Sequence, residues 1–161
     1  MKKVLIVLAL VALVLVPVAA EKATYVGGEV GYPMGVTFGF RGEKDWNLYL
    51  TAGLDVFSLG KQLYGDVVGG MELKVGSFEI GSEEFNMNAG AQVGLDFWAG
   101  DYKAMAISVR GTFGISYDWK DIDWTTYFRA GLGVRFKISG SDDAKVNLFS
   151  DSFVLGMVYH L

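Results

Sequence analysis

Apolar and polar residues alternate along most of the chain. Between Phe85 and Asp96, apolar residues occupy the odd positions, while Asn, Gly, Gln and Asp occupy the even ones. Successive side chains of a β-strand point to opposite faces, so this period of two predicts a strand with one apolar and one polar face. A helix would instead bring residues 85, 88, 89 and 92 onto one face and mix the two classes.

The same alternation recurs in further segments that are separated by turn signals rich in Gly, Asp, Ser and Pro. We predict eight strands, at residues 23–32, 36–41, 46–58, 66–78, 85–98, 103–117, 124–138 and 146–161. A change of parity at residues 77–80 predicts a bulge or a strand end there. All connections have hairpin length, so each strand is expected beside its neighbour in sequence. The predicted fold is all-β, an eight-stranded antiparallel up-and-down β-barrel.

The first twenty residues have the pattern of an export signal. Lys2 and Lys3 precede an unbroken apolar run, residues 4–16, and Ala19 and Ala20 supply small residues before Glu21. The run is shorter than the ~20 residues that a membrane-spanning helix needs. We therefore predict a signal peptide at residues 1–20 and one barrel domain at residues 21–161. An uncleaved N-terminal anchor is the alternative.

The orientation of the two faces decides between two kinds of barrel. A soluble lipocalin-like barrel would enclose the apolar face, and a transmembrane barrel would turn it toward lipid. Glycine falls mainly on the polar face, where it weakens a strand but makes room inside a narrow lumen. The same face carries charges of both signs that can neutralise one another. We therefore predict a transmembrane barrel with a lumen charge network of Glu29, Arg41, Asp55, Glu72, Lys74, Asp96, Arg110, Arg129, Arg135 and Lys137.

Aromatic residues on the apolar face lie near the predicted strand ends. Tyr and Trp favour the headgroup zone of a bilayer, whereas a soluble core would hold such rings nearer the strand centres. The predicted aromatic girdle consists of Tyr32, Trp46, Phe85, Phe97, Tyr117, Trp124 and Tyr159.

The end of the chain resembles the C-terminal signal of bacterial outer-membrane barrels. Gly156 precedes spaced apolar residues, Tyr159 among them, and the chain ends in Leu161 where that family prefers Phe or Trp. In strand number, length and alternation the chain resembles the eight-stranded OmpA/OmpX-like class. The resemblance implies an outer-membrane location in a diderm bacterium and contact with the barrel-assembly machinery during biogenesis.

Candidate chemistry is sparse. The chain has no cysteine, which excludes disulfides, thiolate metal sites and a lipid-anchored N-terminus, and its net charge of −4 provides no basic face for nucleic acid. Its single histidine, His160, is predicted near the inner rim, away from the outer rim where the rare lipid-modifying enzymes of the resembled family keep their site. Asp118, Asp121 and Asp123 could bind calcium through their carboxylates, but we predict that they form a solvated turn. We expect no enzyme activity, no metal and no cofactor.

The predicted function is structural or interaction-based, in membrane integrity or surface contact. Eight strands leave a lumen that side chains can fill, so we expect it to be plugged. The alternatives are a narrow porin-like channel for ions or small polar solutes, a soluble lipocalin-like carrier, and a lipid-modifying enzyme that depends on His160. The expected partners are membrane lipids, and the expected state is a monomer.

Overall fold

The computed structural model describes residues 23–42, 45–55, 62–101, 103–140 and 148–161. The strands within these residues are β1 (Ala23–Tyr32), β2 (Met34–Arg41), β3 (Trp46–Leu54), β4 (Gln62–Ile80), β5 (Glu83–Gly100), β6 (Ala104–Asp118), β7 (Trp124–Gly140) and β8 (Phe149–His160). In this described part of the chain, no helix is long and apolar enough to cross a bilayer. The predicted signal peptide lies outside the described residues.

The eight strands form one closed antiparallel sheet. Each strand pairs with its sequence neighbour, and β1 also pairs with β8, which closes the ring. Tyr25, for example, lies opposite Gly39 on β2 and His160 on β8. Closure gives the central part of every strand two partners, so its backbone groups are satisfied on both sides. The predicted all-β class, strand number and antiparallel order are confirmed.

The strand boundaries differ from the prediction at several glycines. Residues 62–65 were expected in a turn but form the start of β4, where Gly65 lies opposite both Leu54 and Phe97. The third strand was predicted to end at residue 58, but β3 ends at Leu54. Residues 56–58 of the predicted third strand and residues 146–147 of the predicted eighth strand lie outside the described residues. The register shift of β4 lies between Lys74 and Gly76, just before the predicted parity change.

The β4–β5 hairpin is the longest part of the sheet. β3 pairs with β4 only as far as Leu73, whereas β5 follows β4 to Ile80. Gly81 closes this hairpin with φ +66°, a left-handed conformation that glycine adopts without a steric penalty. The hairpin therefore projects beyond the ring at the end where β2, β4, β6 and β8 finish.

The apolar side chains point outward and the charged ones point inward. Leu132 and Val93 are 63% and 55% exposed, whereas Arg110 and Arg129 are 1% and 4% exposed. The interior also holds a small apolar cluster of Tyr25, Tyr49, Val68, Tyr127, Val154 and Val158. The closed sheet is thus built with its polar face inside, the reverse of a soluble barrel with an apolar core.

Candidate functional site

A buried arginine on β7 organises one half of the interior. Arg129 Nη1 lies 2.9 Å from Glu29 Oε1, and its Nε lies 2.9 Å from Glu72 Oε1. The guanidinium carbon is 3.7 Å from the ring centroid of Tyr49 and 4.9 Å from that of Tyr127. Charge-assisted hydrogen bonds and cation–π contacts of this kind are strongest where water is excluded. We call these five residues the Arg129 cluster.

Glycines on neighbouring strands make room for the tyrosines of this cluster. Tyr49 lies opposite Gly70 on β4, and Tyr127 lies opposite Gly156 on β8. A Cβ atom added to either glycine would overlap the opposite tyrosine ring. The glycines of the polar face therefore let large rings cross the narrow interior.

A second charged group lies in the other half of the interior. We call it the Asp96 cluster, and its members are Tyr64, Asp66, Asp96, Arg110 and Arg135. Asp96 Oδ1 lies 3.2 Å from Arg110 Nη2, and its Oδ2 accepts a hydrogen bond from Arg135 Nε. Arg110 Nη1 also lies 3.5 Å from Asp66 Oδ2, and Arg135 Nη2 donates to Tyr64 Oη over 3.3 Å. Two arginines face two aspartates, which is the pairing that buried charges require.

Neutral polar side chains lie between the two clusters near the middle of the ring. Gln92 accepts a hydrogen bond from Tyr49 Oη at 2.8 Å and donates to Ser152 Oγ at 3.3 Å. The cavity between the clusters has a volume of only about 20 Å³. That space accommodates about one water molecule.

A larger cavity opens at the end of the ring where β2, β4, β6 and β8 finish. This cavity, which we call the vestibule, has a volume of about 390 Å³, and Arg129 and Glu72 form its inner end. Asp118 lines the vestibule and holds two other lining residues in place. Its carboxylate accepts hydrogen bonds from Arg41 Nη1 at 2.9 Å and from Asn86 Nδ2 at 3.2 Å. The vestibule therefore combines open space with hydrogen-bonding side chains held in place.

His160 and Thr125 extend this wall. Thr125 Oγ1 donates to Asp118 Oδ1 and lies 2.7 Å from His160 Nε2. A threonine hydroxyl has one proton, so while Thr125 donates it to Asp118, a hydrogen bond to His160 requires the tautomer with a proton on Nε2. A hydroxyl nucleophile needs the opposite arrangement, with the imidazole accepting the hydroxyl proton.

Lys120 lies on the turn between β6 and β7 and lines the vestibule rim. Its Nζ is 3.0 Å from Glu83 Oε2 on β5. This hydrogen-bonded ion pair raises the pKa of Lys120 above its ordinary value, because the carboxylate stabilises the charged ammonium. The rim lysine therefore stays charged at neutral pH.

The residues of the predicted charge network fall into three groups. Seven are buried in the interior or at its edge: Glu29, Asp55, Glu72, Asp96, Arg110, Arg129 and Arg135. Arg41 and Lys74 are half-buried at the vestibule, where they pair with Asp118 and Glu84. Lys137 is exposed, because β7 continues past Val134, its last residue paired with β8.

The structure adds polar residues that the predicted set lacked. Tyr64 was assigned to a turn, and Asp118 was assigned to a solvated turn, yet each holds an arginine in the structure. Asp118 follows Gly114 and Ser116 at intervals of two residues on the polar face of β6, so its sequence position could have predicted an inward side chain. Asp121 and Asp123 remain in the exposed turn. Among the described residues, no three acidic or histidine side chains form a potential metal site.

The predicted aromatic girdle divides into outward and rim positions. Trp124 and Tyr159 contact each other on the outer surface, with ring centroids 5.5 Å apart. Trp46 and Tyr117 instead line the vestibule, and the Trp46 ring occupies the space beside Gly42. The remaining members, Tyr32, Phe85 and Phe97, are exposed or half-buried near strand ends.

Comparisons with known proteins found no matching family model, no matching curated protein and no matching solved structure. The predicted C-terminal signal residues lie on β8 and directly after it. Gly156 faces the interior beneath Tyr127, while Tyr159 and Leu161 are exposed on the outer side.

Proposed function

We propose that this chain is an up-and-down transmembrane β-barrel of an outer membrane, with a plugged lumen and a structural or surface-interaction role. The observation that carries the proposal is the reversed distribution of its side chains. Apolar residues such as Leu132 and Val93 are exposed around the ring, and Arg110 and Arg129 are buried within it. A continuous exposed apolar belt is costly in water and favourable against hydrocarbon.

Closure of the sheet supports the same proposal. Backbone polar groups must be satisfied internally in a bilayer, so among β structures only closed sheets span it. The chain's strands are paired around the complete ring. The predicted export signal at residues 1–20 and the resemblance of the final strand to outer-membrane barrels also support this location.

We propose a structural role because the charged side chains inside the ring occupy the space that a channel would need. The two charged clusters lie within the ring, and the cavity between them has a volume of about 20 Å³, from which we infer that solutes do not pass. A barrel closed in this way contributes through its surfaces, by packing with lipids or by contact with other molecules. We propose no catalytic role for Thr125, whose hydroxyl donates a hydrogen bond to Asp118.

A narrow channel is the second candidate. It is favoured by the polar interior and by the 390 Å³ vestibule, which together would admit ions if the clusters rearranged. Planar-bilayer recording separates the two candidates. We expect no steady conductance steps, and reproducible steps from purified protein would replace the plugged barrel with the channel.

Fractionation tests the membrane location itself. We expect the chain in the outer-membrane fraction, extractable only with detergent, and a gel mobility that changes on boiling because a stable barrel resists the denaturing detergent when cold. A chain that stays monomeric in buffer without detergent would contradict the proposal and favour the soluble carrier. Loss of a lipid-tailoring activity in His160→Ala would favour the lipid-modifying enzyme.

A further inference from the structure

The vestibule has a balance of charge that limits what it can bind. The cations along its lining are Arg41, Lys74, Lys120 and Arg129. The anions are Asp45, Glu72, Glu84 and Asp118, four against four. Most of these charges already face one another in ion pairs. A site without a net field has no electrostatic preference for an anion or a cation.

Asparagine side chains bring hydrogen-bonding groups of both kinds to the vestibule. Asn88 Nδ2 donates to Ser116 and Asn86 Nδ2 donates to Asp118, which leaves both amide oxygens as acceptors within the described part of the chain. Asn47 accepts from Tyr25 Oη and keeps its amide hydrogens as donors. A ligand that both donates and accepts at closely spaced positions fits this set.

Aromatic rings complete the wall at the vestibule mouth. Trp46 and Tyr117 line the cavity there, although their sequence parity predicted the outer surface. Tyr117 is held by its hydroxyl, which donates to Glu83 Oε2 at 2.7 Å, so its ring is fixed at the rim. Such rings offer an apolar face beside polar groups. A ligand with C–H faces and hydroxyl edges can use both.

We infer that the vestibule binds a short neutral saccharide, of one or two rings. The volume of about 390 Å³ lies near the lower end of the ~300–1,000 Å³ typical of small-molecule sites. Sugar hydroxyls match the mixed donors and acceptors of Asn47, Asn86 and Asn88, and the sugar ring packs on Trp46. This inference goes beyond the proposed function and does not depend on a membrane location.

The test is a binding titration of the purified protein, followed by saturation-transfer NMR. The detergent is lauryldimethylamine oxide, because a maltoside detergent would itself present a saccharide. The neutral probes are maltose and chitobiose, and the charged probes are glucose 6-phosphate and glucosamine. We expect saturable binding of at least one neutral disaccharide, at least tenfold tighter than either charged sugar.

Matched variants locate the site. Trp46→Ala removes the aromatic wall, and Asn88→Ala removes an amide, so each is expected to weaken binding at least tenfold. Trp124→Ala removes a tryptophan from the outer surface and is expected to leave binding unchanged. Far-ultraviolet circular dichroism confirms that each variant keeps its β-sheet, and Asn88→Ala decides the outcome if Trp46→Ala does not fold.

Three results would overturn the inference. The first is the absence of saturable binding for both neutral disaccharides. The second is tighter binding of a charged sugar, which would show that the ion pairs open to a ligand. The third is a variant result that places binding outside the vestibule. Either a folded Asn88→Ala variant binds the saccharide with wild-type affinity, or Trp124→Ala loses as much affinity as Trp46→Ala does.

Discussion

The ring of Tyr49 occupies the space that a side chain on Gly70 would need. The two residues are directly opposite in the β3–β4 register. The same relationship joins Tyr25 to Gly39 and Tyr127 to Gly156, each across one pair of neighbouring strands. These glycines set the space in which the tyrosine rings and Arg129 pack.

The first prediction concerns Gly70. Gly70→Ala is expected to destabilise the fold by about 1–3 kcal/mol, because its methyl group overlaps the Tyr49 ring and overpacks the interior. Denaturant unfolding in micelles measures the change. The matched control is Gly69→Ala on the adjacent residue, which has no atom within 4 Å of an added Cβ and should keep wild-type stability. Equal losses in the two variants would contradict the packing argument.

The second prediction concerns the Arg129 cluster. Arg129→Met leaves Glu29 and Glu72 buried without their cation and is expected to cost about 3–5 kcal/mol in the free energy of unfolding. Arg41→Met breaks a pair whose side chains are 38% and 43% exposed, and it should cost less than about 1 kcal/mol.

A second-site change separates lost charge pairing from lost packing in this cluster. Adding Glu29→Gln and Glu72→Gln to Arg129→Met removes the stranded charges, so part of the lost stability should return. Failure of the triple variant to recover any stability would assign the effect of Arg129 to its contacts with Tyr49 and Tyr127 instead.

The third prediction tests what the outer surface faces. Leu132 lies near the middle of β7, opposite Gly111, and is exposed. Against lipid, Leu132→Arg should cost about 2–4 kcal/mol in vesicle-folded protein, whereas Ile122→Arg on the exposed β6–β7 turn should cost about 0–1 kcal/mol. In water both exposed positions would tolerate arginine. Equal behaviour of the two variants would therefore contradict a membrane-facing surface.

The fourth prediction concerns export. Intact mass measurement of the protein from the envelope fraction is expected to give a chain that begins at Glu21. Signal peptidase accepts small residues before the cleavage site, so Ala20→Phe should leave the precursor uncleaved. An uncleaved wild-type chain would favour the N-terminal anchor.

Periodicity was sufficient for the broad architecture but not for the strand ends. Strict alternation from Phe85 to Leu95 determines a strand and its two faces, because the pleat allows no other period. The strand ends were less predictable. Gly65 resembles a turn residue by itself, but it continues β4 because partners on both sides satisfy its backbone.

The sequence did not predict which charged side chains pair inside the ring. Parity placed Arg110 and Arg129 on the polar face, yet which carboxylates they meet depends on residues far apart in the chain, such as Glu29 with Arg129. The same limit applies to Trp46 and Tyr117, whose parity points outward although the strand ends bring them to the vestibule. At these strand ends each residue pairs with only one neighbouring strand, Trp46 with Leu73 and Tyr117 with Thr126.

The sequence by itself determined the two faces, since alternation is a local property of each strand. The closed tertiary structure decided how the polar face is used: closing eight strands brings it into a space so narrow that long side chains must meet, pair and exclude solvent. That is why the charged clusters and the vestibule are visible only once β1 meets β8.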